Sequence, residues 1–147
     1  VSYFGQTLLQ CFGGLAADSA TGSWLVNTYS LSTALEKLTK YNAERFEQPL
    51  RTTSNMNGMA AIHRPNQASV LATIECRTDA ANAVAEIELR RGNDSHSLSV
   101  ADAKPLRKEV APGEWDVIVR FPGGQFPSPR LIPCMLMPPI FEGVDVP

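Results

Sequence analysis

The chain has 147 residues, and 13 Lys+Arg against 15 Asp+Glu leave a formal net charge of −2. That balance excludes a strongly basic nucleic-acid footprint and a polybasic membrane surface. With 44% hydrophobic and 19% charged residues, the composition is that of one folded domain or two very small ones, not of a disordered chain.

The first apolar run, Thr7 to Phe12, ends in Cys11 and is followed at once by Gly13 and Gly14. It reads as a short strand and a turn. Two uses of Cys11 stay open at this point. Free cysteine is among the most buried residue types, so the run can be a core strand. Equally, a strand end can present a thiol, adjacent glycines let a substrate backbone approach, and turn N–H groups can face a developing oxyanion.

One amphipathic helix follows. Leu31, Leu35, Leu38 and Phe46, with Tyr41 or Asn42 between, recur near the 3.6-residue period, while Glu36, Lys37, Lys40, Glu44 and Arg45 face elsewhere. Thr33 with Glu36 matches a capping box, Ser30 is an equally good N-cap one turn earlier, and Glu36 and Lys40 form an i, i+4 pair. Pro49 ends the run. Residues 51–69 carry no period and read as a linker between an α/β segment over 1–50 and a second unit.

From Val70 the pattern is strand after strand. Ala85, Ile87 and Leu89 alternate with Glu86, Glu88 and Arg90, and 91–94 supplies turn residues before a run that begins at Leu98 and Val100. Leu106 and Val110 lie on either side of Lys108, and 111–113 turns the chain. Trp115, Val117, Val119 and Phe121 then alternate with Asp116, Ile118 and Arg120. With runs at 70–77 and 131–137, about six short strands result, the pattern of a small antiparallel β-sandwich over 70–137. Residues 138–147 are expected to form an extended tail, free or bound to a neighbour. The fold class is therefore α+β, mainly β: a short strand-turn-helix segment followed by the sandwich.

Other features bound the chemistry. Cys11, Cys76 and Cys134 have no metal-like spacing, and His63 and His96 lie far from them in sequence, so neither a metal site nor another cofactor is expected. Cys76 and Cys134 fall on the first and last sandwich strands, where two free thiols are preferred over a bridge. His63 and His96 read as solvated, and Asn93-Asp94-Ser95 fits a glycosylation sequon. The longest apolar stretch, Leu131 to Phe141, is interrupted by prolines and is too short to cross a bilayer. The start at Val1 reads as a processing point or an artificial boundary; no targeting segment is visible, and the cytoplasm is the default compartment.

Two resemblances add to this. Leu9-Gln10-Cys11-Phe12-Gly13-Gly14 resembles the nucleophile strand of caspase-like cysteine peptidases, in which an apolar strand leads into Cys-x-Gly. Gly22-Ser23-Trp24-Leu25-Val26, with the helix after it, is similar to the small-subunit segment of that family. The resemblance covers residues 4–48. It implies Cys11 as thiolate nucleophile, Gln10, Gly13 and Gly14 at the oxyanion and substrate side, Trp24 as a pocket wall and Ala17-Asp18-Ser19 as a processing loop. That family places its catalytic His tens of residues before the cysteine, and only ten residues precede Cys11. The chain would then be the C-terminal part of such a peptidase, acting on protein or peptide, with the N-terminal half as partner and the sandwich as an accessory module. The order of Cys11 and His63, with Gln6 upstream, is also that of papain-like enzymes. Within the β-rich part, Leu106 to Val119 looks like carboxypeptidase-regulatory or transthyretin-like modules, where a Pro-Gly-x-aromatic-x-Val turn starts an inward strand. That second resemblance implies docking without chemistry, hence the alternative of a non-enzymatic binding or assembly protein, with a homo-oligomer among its forms.

Overall fold

A computed structural model describes residues 2–19, 23–46 and 60–143. The architecture is α+β, mainly β, with a small sandwich-like arrangement of mostly antiparallel sheets. The chain divides into two compact units, Val1–Leu71 with Met137–Ile140, and Ala72–Leu136 with Phe141–Pro147.

The first unit opens on a helix where a strand is expected. Helix α1 spans Tyr3–Gln10, and Cys11–Leu15 continues it as a single π-helical turn. Ser2 caps α1, its hydroxyl accepting the Gly5 N–H at 3.1 Å. The buried side chains are those of Thr7, Cys11 and Leu15, four residues apart, so the apolar run follows a helical and not a strand period. A short continuous apolar run fits both elements, and packing decides between them. The π turn closes with the Ala16 N–H donating to the Cys11 carbonyl at 3.1 Å.

Strand β1, Val26–Asn27, leads directly into helix α2, Thr28–Phe46. The helix starts earlier than either capping site read from the sequence. Asn27 and Ser30 cap each other: the Ser30 N–H donates to Asn27 Oδ1 at 2.7 Å, and the Asn27 N–H donates to Ser30 Oγ at 3.0 Å. Leu31, Ala34, Leu35, Leu38 and Tyr41 are its buried stripe, while the Phe46 side chain lies outside the described residues. Of the two candidates at the stripe's far end, Tyr41 is the buried one. Asn42 instead donates to Thr7 Oγ1 at 2.9 Å, joining α2 to α1 through a buried hydroxyl. Cys11, Leu15, Val26, Leu31, Leu35 and Leu38 form the core of this unit.

The expected linker contains structure. Within its described part, β2 (Ala61–His63) pairs antiparallel with β1, Val26 opposite His63. Residues 67–69 then approach the π turn. The Ser69 N–H donates to the Gly14 carbonyl at 3.1 Å, and a Cβ on Gly14 would collide with the Gln67 carbonyl. Gly14 also has φ +133°, which side-chain-bearing residues rarely adopt.

The chain enters the second unit within β3, Val70–Ile74. Helix α3, Asp79–Asn82, follows with Thr78 as its cap, and Asn82 holds the Cys76 backbone through both amide atoms. Strands β4 (Glu86–Arg91), β5 (Asp94–Leu98), β6 (Leu106–Val110), β7 (Gly113–Arg120), β8 (Arg130–Leu136) and β9 (Ile140–Glu142) complete the fold. They form a four-stranded sheet in the order β5-β4-β7-β8 and a three-stranded sheet in the order β6-β3-β9. Residues 140–142 are thus a paired strand and not an extended tail. Strand β5 begins four residues before the expected Leu98, after a two-residue Gly92–Asn93 turn. Its polar Ser95 and Ser97 face outward on an edge, so no apolar alternation marks it. Ile87, Leu89, Trp115, Val117 and Val119 are the inward side of the four-stranded sheet.

Replacing Gly14 with Ala should destabilise the protein by at least about 2 kcal/mol, since positive-φ strain and backbone overlap add. Gly13, with nothing within 4 Å of a Cβ, should accept Ala within about 1 kcal/mol and in the stabilising direction. Urea denaturation of the two variants checks the contrast.

Candidate functional site

The Cys11 constellation is brought together by α1 and the π turn, but its chemistry points inward. Cys11 is fully buried, and burial pushes its thiol up to about 12. A nucleophile needs a lowered pKa and access, which an electropositive rim or a helix N-terminus supplies. Cys11 instead lies at the C-terminal end of α1, its own N–H directed back to the Thr7 and Leu8 carbonyls. Gly14 is spent on packing against residues 67–69. Gly13 and Gln10 are exposed, and Trp24 is half-buried in the segment before β1.

His63 lies on exposed β2, its ring edge-on to Phe12 with centroids 5.7 Å apart. Among the described residues no hydrogen bond or ion pair joins it to Cys11. Asp18 accepts from Asn27 Nδ2 at 3.2 Å and bridges backbone to backbone with Leu25. It therefore supports the start of α2, where a carboxylate also suits the helix dipole. Cys76 and Cys134 are free thiols, both raised in pKa chiefly by burial; Cys76 is buried just beyond β3, and Cys134 is only half-buried on β8. No group of three His, Cys, Asp or Glu side chains among the described residues is placed to hold a metal. Among them, no helix is long and apolar enough to cross a membrane.

A second candidate, missed from sequence, is the outer face of the four-stranded sheet. Register places Ser97, Glu88, Ile118 and Leu131 in one row, and Ser95, Arg90, Asp116 and Pro133 in the next. Across each row the chemistry changes from hydroxyl to charge to hydrocarbon. One ion pair joins β4 to β7: Arg120 donates to Glu88 at 2.9 Å, and Ser95 on β5 donates to the same carboxylate at 3.0 Å. The Arg120 bond, aided by Ser95, holds the Glu88 carboxyl below its ordinary value. On β8, Leu131 and Met135 are each 55% exposed, beside an Ile118 that is buried. A groove of about 490 Å³ runs along this end, between Arg90 and Asp116 on one bank and Pro133 and Met135 on the other.

Sequence alternation could not find this face, because 131–136 is apolar at every position except the weakly polar Cys134. At one end of the sheet's inner face, Arg91 lies over the Trp115 ring at 5.8 Å, and His96 tilts against it at 6.2 Å. Trp115 Nε1 donates to the Ala111 carbonyl at 2.9 Å. His96, read from the sequence as solvated, is half-buried here because β5 begins early. No family model, curated protein or solved structure matches the chain.

Glu88→Gln should remove a pH-dependent part of stability. A carboxylate whose folded pKa is depressed stabilises above its unfolded pKa and loses that contribution as pH falls through the folded value. Unfolding free energies of the wild type and Glu88→Gln should therefore differ near neutral pH and converge in acid. A constant offset at all pH values would contradict the Arg120 and Ser95 contacts as its source.

Proposed function

We propose that this chain is a protein-binding module, with β8 and the outer sheet face as its docking surface and Cys11 as a core residue without chemistry. The observation that carries this is the pair of half-exposed apolar side chains, Leu131 and Met135, on an edge strand. Exposed hydrocarbon, here with Met135 on one bank of the groove, is a signature of interaction sites. Pro133 on the same edge discourages uncontrolled strand addition, so a partner is expected to lie across the face. The Pro112-Gly113 turn supports the resemblance to carboxypeptidase-regulatory and transthyretin-like modules: β7 begins at Gly113 with φ +129°, and Trp115 and Val117 point inward. A photocrosslinker at position 131 or 135 should give a discrete protein adduct in the cells that make this chain, whereas position 97 on β5 should not. Equal labelling from both edges, or none, would remove the docking surface.

A second proposal keeps the C-terminal portion of a caspase-like peptidase. Strand β1 running straight into α2 supports it, since that is the order the small-subunit resemblance implies. In this case the activity needs an N-terminal half, and Cys11 would have to become accessible. Alkylation of native Cys11 across pH 6 to 10, with Cys76 and Cys134 replaced by Ser, separates the two. For a core thiol, modification stays slow throughout and becomes fast only on unfolding. Rapid native modification with an apparent pKa below about 7.5 would favour the peptidase.

A further inference from the structure

The connection from β5 to β6 holds a feature that neither proposal uses. The Lys104 ammonium donates to three backbone carbonyls of its own loop: Ser99 at 2.8 Å, Asp102 at 3.0 Å and Val100 at 3.4 Å. The loop is closed a second time by Asp102, whose carboxylate accepts the Ser99 N–H at 2.7 Å, and by the Asp102 N–H donating to the Ser99 carbonyl at 3.2 Å. Carbonyl oxygens turned toward one point repel each other unless a cation sits between them. An ammonium with three donors on a compact charge fits that role. It is supplied in cis, from the residue that precedes Pro105 and the start of β6.

We propose that Lys104 is an internal cation that latches the 99–104 loop, so that loss of one positive charge opens the loop while the sandwich stays folded. The Ser99, Val100 and Asp102 carbonyls converge on this ammonium, the Cys76 thiol lies close enough to feel its charge, and Leu106, the first core residue of β6, lies just beyond it. Opening would be local because residues 99–103 are exposed and the loop contributes no core side chain. The latch sets how Val100, 39% exposed on this loop, is presented to solvent. Any neutralising modification of Lys104 would act in the same way, independently of what binds the outer face of the sheet.

Lys104→Met keeps the hydrocarbon stem and removes the charge; Lys104→Gln does the same with a neutral polar end. Amide hydrogen exchange on the full chain reads the result. In both variants the Ser99 and Asp102 amides should exchange at least about tenfold faster, the effect of losing a charge-assisted hydrogen bond. The Leu89 and Val117 amides of the four-stranded sheet should be unchanged. Unaltered protection at Ser99 and Asp102 would overturn the proposal, because the Asp102 contacts alone would then hold the loop. Equal acceleration in the sheet would also overturn it, since Lys104 would then belong to the global fold and not to a latch.

Discussion

The hydrogen bond between the Gly14 carbonyl and the Ser69 amide is the constraint on which the first unit turns. It forms only because Gly14 has no side chain and tolerates a positive φ, so residues 67–69 can pass close against the π turn. Once that contact is made, the turn cannot rotate. Cys11 and Leu15 are then committed to the same interior as Val26, Leu35 and Leu38. The chemical consequence is large for so small a contact. A thiol held inside hydrocarbon resists ionisation, and of the two glycines beside it Gly14 is held by packing while Gly13 is exposed.

The second unit obeys a different constraint, the register of β4, β7 and β8. Pairing Glu88 with Ile118 and Ile118 with Leu131 sorts the outer face into a charged half and an apolar half. Arg120 and Ser95 satisfy Glu88 on the charged half. On β8, Leu131 and Met135 leave hydrocarbon exposed, and the proposed docking would draw on it. Pro133 on that edge limits pairing with stray strands, so the apolar stripe carries less aggregation risk than its exposure implies.

Much of this fold was legible in the sequence. The α2 stripe and the alternation in β4 and β7 are strong local periods, and they correspond to buried faces in the structure. Beyond β2 in the expected linker and the short α3, three further places were not legible. The 7–12 run suits strand or helix, and a serine two residues into the chain, together with the packing of Thr7 and Cys11, selected the helix. Strand β5 is hidden because an edge strand needs no outward apolar residues. The Phe141 region looked like a tail because a three-residue strand is defined by its neighbour, not by its own composition.

For the candidate sites the division is sharper. Which residues are chemically capable is a property of the chain alone: Cys11 with its glycines, the charged face of β4, and the lysine at 104 are all present before folding. Orientation is not. An apolar run such as 131–136 contains no code for inside and outside, and a cysteine beside two glycines fits an exposed turn as well as a buried one. Only long-range contacts, Ser69 on Gly14 and β7 on β8, decide which side chains lose water. Composition and period are local quantities, whereas burial is set by residues distant in sequence; that is why strongly periodic elements such as α2, β4 and β7 could be read from the sequence and the direction of Cys11 and of Leu131 could not.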